Sequence, residues 1–324
     1  MPVVASQYSG GPLWRDGHTQ TILPSIWPRR LPQWSHVERL ALPDGDAVTV
    51  KRLDGGCGRV AILCHGLEGS ADADYVRGMA GALGSAGWDV VGWNYRGCGG
   101  DENLRLRAYH SGETDDLRAV AAHVERGSRA LALVGFSLGG NVVLKAAAEG
   151  GLPDSLAVVA AVSAPVDLAS SARRLDEDSA NWFYQRRFLQ SLIAKTLKKS
   201  RRFPELRERL AGADGRAAVR TIRAFDERIT APIHGFGGAD DYYARASAGP
   251  LLGRLAVPAL VLSARNDPLL AEDSFPEALA RESERLHLEA PPYGGHVGFL
   301  DLRRGRRPWH EGRIVEFLGA FSAR

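Results

Sequence analysis

The sequence places a serine in a setting that is typical of a catalytic nucleophile. Ser137 is the central residue of Gly135-Phe-Ser-Leu-Gly139, which follows a short apolar run and precedes a helix-like run. A strand, a sharp turn and a helix in this order expose the hydroxyl at the end of a sheet, and the glycines let the backbone pack closely. The pattern therefore predicts that Ser137 is a nucleophile. Taken alone, it also fits an ordinary Gly-rich turn.

A serine hydroxyl is a weak nucleophile at neutral pH, so it needs a general base and an acid that orients the base. Asp267 follows the apolar run 259–263 and precedes a proline. His296 lies in a Gly-rich loop after the run 286–289. Because the order Ser, Asp, His is typical of one class of α/β enzymes, we predict a catalytic triad of Ser137, Asp267 and His296. Asp267 alone also fits a cap of the turn that follows it.

Acyl transfer also needs two backbone N–H groups directed at the oxygen on which negative charge develops. One is expected from Leu138, the residue after the nucleophile. The other is expected from Leu67, in the sequence His65-Gly-Leu-Glu-Gly69 that ends another apolar run. We predict that these two amides form an oxyanion hole. The sequence around Leu67 by itself also fits a plain tight turn.

Length and composition restrict the remaining possibilities. A chain of 324 residues fits one large domain, with or without a sizeable insertion. The net charge of +3 comes from 41 basic and 38 acidic residues, which is too balanced to indicate nucleic-acid binding. No apolar stretch is long enough to span a membrane and no signal peptide is evident, so we expect a cytoplasmic protein.

The three cysteines, Cys57, Cys64 and Cys98, lack the spacing of a metal or redox motif. Their odd number argues against a disulfide framework and fits a reducing compartment. We expect Cys64 and Cys98 to be small packing residues. The scattered His, Asp and Glu residues form no recognisable metal-binding motif, and Gly97-Cys-Gly-Gly100 lacks the full pattern of a dinucleotide site. No cofactor and no metal are therefore predicted.

Short apolar runs that alternate with helix-like segments indicate an α/β fold. Helical patterns between most of the runs favour a mostly parallel central sheet with helices on both faces. Near the N-terminus, segments 47–53 and 59–64 flank a short Gly-rich stretch, which predicts an antiparallel hairpin at the sheet edge. The runs predicted to be buried strands are 59–64, 89–93, 130–136, 156–163, 259–263 and 286–289.

The alternation is interrupted between the predicted core regions 1–168 and 256–324. The intervening segment 169–255 is rich in Arg, Ala and aromatic residues, and we predict that it forms a helical cap or lid over the site. Within it, 181–197 has the spacing of an amphipathic helix, followed by a basic tail at 198–202. This helix either lines an acyl pocket or packs on the core, and the tail is a candidate for contact with an anionic lipid surface. The candidates for pocket lining are Trp182, Phe183, Phe188 and Leu192.

Several strings spread over most of the chain, and together they carry a family resemblance. They are His65-Gly-Leu-Glu-Gly69, Asn94-Tyr-Arg-Gly97, Gly135-Phe-Ser-Leu-Gly-Gly-Asn141, Phe225-Asp226 with Thr230-Ala-Pro232, Ala239-Asp-Asp-Tyr-Tyr243, Asn266-Asp267-Pro268 and Gly294-Gly-His296. In these strings the sequence resembles the α/β-hydrolase superfamily and, within it, a YheT-like group related to lipid-active ABHD proteins. The resemblance implies an α/β-hydrolase fold and carboxylic-ester hydrolysis by Ser137, Asp267 and His296.

An N-terminal string is also similar to this family. Gly17-His-Thr-Gln-Thr21 resembles the family's Pro-His-Leu-Gln-Thr, from which Gly17 and Thr19 depart. The sequence leaves open whether His18 and Gln20 line the site or pack beneath it.

Three hypotheses about the reaction follow from the same residues. The first is a serine esterase or lipase that acts on a small acyl ester or lipid through an acyl-enzyme. The second is an acyltransferase, because His296 and Asp301 have a His-x4-Asp spacing that is associated with acyl transfer in other folds. The third is amide or peptide hydrolysis, since a triad alone does not decide which acyl bond is cleaved. The acyl-chain length, the head group and the oligomeric state are left open.

Overall fold

The structure is a computed structural model in which a central nine-stranded sheet carries helices on both faces. Because parallel strands end at the same edge of a sheet, this arrangement brings the loops after several strands together. The residues that the structure describes are 2–10, 15–125, 127–211, 219–301, 305 and 307–322.

The sheet has the strand order β1-β9-β8-β7-β6-β4-β5-β3-β2. In chain order the strands are β1 (Val3–Val4), β2 (His36–Ala41), β3 (Ala47–Leu53), β4 (Arg59–Cys64), β5 (Asp89–Trp93), β6 (Ala130–Phe136), β7 (Leu156–Val162), β8 (Ala259–Leu262) and β9 (Leu286–Glu289). Two neighbouring pairs, β2 with β3 and β3 with β5, are antiparallel, and the other six pairs are parallel. The prediction of a mostly parallel sheet is confirmed, and the six predicted runs are strands.

The predicted hairpin between segments 47–53 and 59–64 is wrong. β3 pairs with β2 and β5, whereas β4 lies between β5 and β6 in the middle of the sheet. The hairpin turn is instead at Asp44-Gly45, before β3, where the φ of Gly45 is 80°. The chain crosses from β3 to β4 at Gly55-Gly56. The backbone N–H groups of both glycines donate to the Asp89 carboxylate at 2.8 Å. β4 lies in the middle of the sheet because its sequence is apolar, and such a strand is stable only where both faces of the sheet are covered.

The helices account for most of the remaining chain. They are α1 (Gly17–Ile26), α2 (Asp74–Ser85), α3 (Asp115–Val124), α4 (Leu138–Glu149), α5 (Leu168–Glu177), α6 (Trp182–Lys199), α7 (Glu205–Leu210), α8 (Ile222–Phe225), α9 (Ala231–Ile233), α10 (Ala239–Ala246), α11 (Glu277–Glu282) and α12 (Trp309–Phe321). A π-helix at Asp226–Thr230 joins α8 to α9. No helix in these ranges is both long enough and apolar enough to cross a lipid bilayer.

Two hydrophobic clusters cover the two faces of the sheet. Side chains of β4 alternate between them, so that Ile62 lies in the cluster with α3 and α4 and Leu63 lies in the cluster with α2 and α12. Both side chains are fully buried. Burial of apolar area contributes about 25 cal/mol per Å², so these clusters hold the strand ends, and the loops that follow them, in place.

The chain between β7 and β8 forms α5 to α10 around a third hydrophobic cluster. Helix α6 begins and ends within two residues of the predicted helix 181–197. Its first two side chains, Trp182 and Phe183, are 60% and 47% exposed, whereas Tyr184 and Leu189 are buried in the third cluster. The assignment of 169–255 as a cap stays a prediction; we call this segment the cap below.

Candidate active site

Ser137 lies on the tight turn between β6 and α4. Its φ is 53°, in the left-handed region that residues other than glycine rarely adopt. The Ser137 N–H donates to the carbonyl oxygen of Val162 at the end of β7, at 2.8 Å. A Cβ on Gly135 would lie 2.1 Å from the carbonyl oxygen of Gly139, so glycine is required there. The strained turn that the sequence pattern predicts is present, and α4 starts directly behind the hydroxyl.

Asp267 and His296, from the loops after β8 and β9, are in direct contact. The Nδ1 of His296 lies 2.8 Å from one Asp267 carboxylate oxygen and 3.1 Å from the other. Asp267 is 1% exposed, and its carboxylate also accepts the backbone N–H of Leu269 at 2.9 Å. This leaves Nε2 as the ring nitrogen of His296 that is available for another partner.

Ser137 and His296 are both attached to the end of β7. The N–H of Ser137 bonds to Val162, and the N–H of Val297, the neighbour of His296, donates to the hydroxyl of Ser163 at 3.0 Å. Within the described residues, no hydrogen bond joins the Ser137 hydroxyl to the His296 ring. Catalytic hydrogen bonds are often long before a substrate is bound. The relation between Ser137 and His296 is therefore given by their common attachment to the end of β7.

The N-terminal helix α1 holds the histidine loop, a role that reasoning from the sequence missed. The hydroxyl of Thr21 accepts the backbone N–H of His296 at 2.9 Å. The side-chain oxygen of Gln20 accepts the N–H of Leu300 at 2.8 Å, and its nitrogen donates to the hydroxyl of Tyr8 at 2.7 Å. The only sign of this role in the sequence is the similarity of Gly17-His-Thr-Gln-Thr21 to a family string.

Close backbone packing explains the glycines of the histidine loop. The φ of Gly295 is 60°, and a Cβ there would lie 2.5 Å from the carbonyl oxygen of Gly17 in α1. Gly295 also donates its N–H to the side-chain oxygen of Asn266 at 3.1 Å. The loop therefore fits between α1 and the loop of Asp267 only with glycine at this position.

His18, the second residue of the N-terminal string, faces the cap. Its Nδ1 lies 3.2 Å from the hydroxyl of Tyr184 in α6, and the two rings stack with centroids 5.8 Å apart. His18 thus joins α1 to α6, while Gln20 packs beneath the histidine loop.

The candidate oxyanion loop, residues 65–69, is held by His65. Because the Nε2 of His65 accepts the N–H of Tyr95 at 3.2 Å, its proton is on Nδ1, which donates to the carbonyl oxygen of Gly66 at 2.7 Å. Burial lowers the pKa of His65 to about 4, so the ring is neutral near pH 7. The hydroxyl of Tyr75 accepts the N–H of Gly66 at 2.9 Å. Both ring nitrogens are used, so His65 is a structural residue that shapes this loop.

The two predicted oxyanion donors border the same cavity. Leu67 and Leu138 both line it, and within the described residues neither backbone N–H has a hydrogen-bond partner. An N–H without a protein partner beside a strained nucleophile turn is available to an oxygen of a ligand.

Glu68 ties the oxyanion loop to the cap. Its φ is 57°, and its carboxylate accepts hydrogen bonds from Tyr109 at 2.6 Å and from Lys195 of α6 at 2.7 Å. Ser191, one turn earlier on α6, donates to the other carboxylate oxygen. The position of α6 is therefore coupled directly to the residue that follows Leu67.

The cavity between the cap and the sheet has a volume of about 530 Å³. Leu192 lines it, whereas the other three candidates, Trp182, Phe183 and Phe188, do not. A groove of about 950 Å³ on another part of the surface, between residues 28–32 and α2, contains none of the candidate site residues. The apolar side chains of the cavity include Leu138, Leu192, Leu206, Phe225, Ile229 and Ile233.

The cysteines near the site are packing residues. Burial raises the pKa of the Cys64 thiol to about 12 and that of Cys98 to about 11, so both are protonated at neutral pH and are poor nucleophiles. Among the described residues, no group of three or more His, Cys, Asp or Glu side chains is placed to hold a metal ion.

Comparison with known families agrees with this fold. Residues 60–301 match the family described as the alpha/beta hydrolase fold. The chain belongs to the alpha/beta hydrolase family.

This hydrolase is also similar to curated relatives and to solved structures. It is 36% identical to YheT of Escherichia coli strain K12 over 94% of this chain and 90% of that protein. It is 26% identical to human Phospholipase ABHD3 over 93% of this chain and 75% of that protein. The structure of the Pyrococcus furiosus esterase Pf2001 matches with a TM-score of 0.61 at 16% identity, covering 91% of this chain and 96% of that chain. The hydrolase is a carboxylic ester hydrolase of the esterase and lipase type.

Proposed function

We propose that this hydrolase cleaves acyl esters by serine catalysis, with Ser137 as nucleophile, His296 as general base and Asp267 as the acid that orients it. The observation that carries the proposal is the 2.8 Å contact between His296 Nδ1 and Asp267, at the strand end to which the strained Ser137 turn is also attached. A buried carboxylate in this position selects the tautomer that leaves Nε2 free to accept a proton.

The reaction proceeds in two acyl transfers. The Ser137 hydroxyl attacks the ester carbonyl and gives its proton to Nε2 of His296, while Asp267 stabilises the imidazolium. The N–H groups of Leu67 and Leu138 donate to the oxyanion, and each such donor contributes about 3 kcal/mol to the stability of the transition state. The alcohol leaves with the proton from His296, and water then hydrolyses the acyl-enzyme by the same steps.

An acyl chain is the part of the substrate that suits the apolar part of the cavity. Apolar side chains of the cap and of α4 line part of a volume of about 530 Å³, which is within the usual range for small-molecule sites. The name of the relative ABHD3, a phospholipase, supports acyl esters of lipids as candidate substrates. A lid role for the cap, peripheral contact with lipid surfaces and a cytoplasmic location are parts of the same proposal.

Hydrolysis of p-nitrophenyl esters from acetate to palmitate tests the proposal. The wild type is compared with Ser137→Ala and with Ser25→Ala, which removes an exposed serine hydroxyl near the end of α1. We expect Ser137→Ala to lower kcat by about 10⁶-fold and Ser25→Ala to retain the rate. The chain-length optimum then measures the depth of the cavity.

Three results would contradict the proposal or redirect it. Equal rates in the wild type and Ser137→Ala would remove Ser137 from the reaction. Transfer of the acyl group to an added alcohol in preference to water would make the enzyme an acyltransferase, and cleavage of aminoacyl p-nitroanilides at a higher rate than esters would favour amide hydrolysis.

A further inference from the structure

The cavity beneath the cap has an excess of positive charge on one side. The last turn of α6 and the residues after it contribute cations to its lining, and those at the rim, Lys198, Arg201 and Arg202, are exposed and have no carboxylate within salt-bridge distance among the described residues. Lys199, in contrast, is partly buried inside the cavity.

Lys199 is a cation whose partners are neutral. Its ammonium group donates to the side-chain oxygen of Asn103 and, at 3.0 Å, to the carbonyl oxygen of Arg107. The amide nitrogen of Asn103 donates to Asp46, so this carboxylate is linked to Lys199 only through an amide. An ammonium group has three N–H donors, and two of those of Lys199 are used in these bonds. The Phe203 ring lies 5.9 Å from the ammonium nitrogen, too far for a hydrogen bond, so one donor remains for a ligand.

Other charges of the cavity do not neutralise Lys199. Glu68 is paired with Lys195 at 2.7 Å. Asp226 accepts hydrogen bonds from Thr230 and Tyr243, and burial raises its pKa to about 6. Asp101 lies 3.6 Å from Arg39, and Glu102 is exposed at the rim.

Lys199 lies one helical turn beyond a residue that contacts the oxyanion loop. Lys195 reaches Glu68, which directly follows Leu67 in the chain. Lys199 is one helical turn further along α6, a rise of about 6 Å. A ligand that spans this distance, with an ester carbonyl at Leu67, would bring its other end to Lys199.

We propose that the cavity selects acyl esters that carry an anionic group, a carboxylate or a phosphate, and that Lys199 binds this group. The assignment rests on the proposed ester hydrolysis at Ser137. The exposed cations at the rim attract the anion, and Lys199 forms the charge-assisted hydrogen bond in the partly dehydrated interior, where such bonds are strong.

The proposal predicts a pH dependence. Burial lowers the pKa of Lys199 to about 7, Arg96 lowers it further and Asp46 opposes the shift. His234 also faces this region, but burial lowers its pKa, so its ring is neutral near pH 7. The pKa of Lys195 is raised, so Lys195 stays charged at that pH. Asp226, which also lines the cavity, becomes charged near pH 6, and Lys199 loses its charge near pH 7. The preference for an anionic substrate should be full below that pH and should be lost as the pH rises through it.

Matched pairs of substrates test the proposal in the full-length enzyme. One arm compares p-nitrophenyl hydrogen suberate with its neutral methyl ester, which places the anion on the acyl chain. The other arm compares monooctanoylglycerol phosphate with monooctanoylglycerol, which places it on the alcohol. In at least one arm we expect kcat/KM for the anionic member to exceed that of the neutral member by about ten- to a hundredfold near pH 6. The arm that shows the preference identifies the source of the anion.

Variants locate the effect. Lys199→Met should bring kcat/KM for the anionic and the neutral member of each pair to about the same value. Arg187→Met, which removes an exposed cation of α6 outside the cavity, should preserve the difference between them. Taking the ratio at each pH removes any pH effect that is common to both substrates, and in the suberate arm the ratio should fall as the pH rises from about 6 to 9. This profile needs only the wild type, so it stands even if Lys199→Met fails to fold.

The outcomes separate this proposal from the one on which it rests. Equal kcat/KM within both pairs, or a preference that persists in folded Lys199→Met, would overturn the anion site while neutral esters are still hydrolysed. Failure of the wild type to hydrolyse any ester would instead overturn the proposed serine catalysis.

Discussion

The backbone N–H of His296 donates a hydrogen bond to the side-chain hydroxyl of Thr21 at 2.9 Å. The two residues are 275 positions apart in the chain, and the bond attaches the loop of the candidate general base to the N-terminal helix. Thr21 is itself held, since its hydroxyl donates to the carbonyl oxygen of Gly17 at 2.6 Å. The N-terminal string is therefore a support for the histidine loop, and Thr21 is a positioning residue.

Thr21→Val tests this support because it retains the shape of the side chain and removes the hydroxyl. The His296 N–H then loses its acceptor, and a displacement of the ring by a fraction of an ångström is costly to catalysis. We expect kcat to fall by about tenfold or more with little change in KM. Thr21→Ser should restore kcat, and a variant that lowers stability without this separation of kcat from KM would indicate a merely structural role.

Glu68→Gln tests the connection between the cap and the oxyanion loop. The change removes the negative charge that pairs with Lys195 and accepts from Ser191, so the loop of Leu67 loses its link to α6. We expect the free energy of unfolding to fall by about 1–3 kcal/mol and kcat to fall with it. A double-mutant cycle with Lys195→Met, followed by urea unfolding and by kcat, measures the coupling. Additive effects of the two substitutions would show that the pair does not link the elements.

His310 should make the protein less stable in acid. Its ring is fully buried between Phe136 and Phe299, and within the described residues neither ring nitrogen has a hydrogen-bond partner. Burial lowers the pKa of His310 to about 3, so below its ordinary value of about 6.5 the unfolded chain binds a proton that the folded chain excludes. The stability contributed by the neutral ring is complete above about pH 6.5 and is lost as the pH falls toward 3.

His310→Phe keeps an aromatic ring and removes the titration. We expect the difference in melting temperature between the variant and the wild type to shift in favour of the variant when the pH is lowered from about 8 to 5. His36→Phe, at an exposed site on β2 where the ring lies 3.2 Å from Asp54, is the matched control, and because exposed ion pairs contribute little to stability it should change this pH dependence much less than His310→Phe does. Parallel curves for the wild type and His310→Phe would contradict the prediction.

Gly139→Ala tests the close packing at the start of α4. A Cβ at this position would lie 2.3 Å from the carbonyl oxygen of Cys64 and 2.5 Å from that of His65, so the nucleophile turn and the oxyanion loop would have to separate. We expect a loss of about 1–3 kcal/mol in stability and a loss of most activity. Gly319→Ala in α12 meets no atom within 4 Å and should instead stabilise the protein by up to about 1 kcal/mol. Chemical unfolding of both variants provides the comparison.

Local patterns in the sequence were sufficient for much of the fold. The apolar runs that became β4 to β9 could be recognised because a strand buried on both faces must be apolar along its length. Ser137, Asp267 and His296 could be selected because each follows such a run, and parallel strands end at one edge of the sheet. Their catalytic roles stay a proposal, which the kinetics of Ser137→Ala will test.

The errors came from pairings that are not local. Segments 47–53 and 59–64 are neighbours in the chain, yet β4 pairs with β5 and β6, because strand order depends on which apolar faces must be covered. Likewise, the spacing in 181–197 predicted a helix, but it did not distinguish Leu192, the one of the four pocket candidates that lines the cavity, from Trp182, which is exposed. The rotation of a helix is decided by the surface on which it packs.

By itself, the sequence determined the candidate residues for acyl transfer and the strands and turns that carry them, because turn geometry and the apolar pattern of a strand are local properties. The tertiary structure alone decided that Thr21 and Gln20 hold the loop of His296, that His65 and Glu68 hold the loop of Leu67, and that Lys199 lines the cavity with an amide and a backbone carbonyl as its hydrogen-bond partners among the described residues. Each of these contacts joins segments that are distant in the chain, and only the packing of the sheet and the cap brings them together.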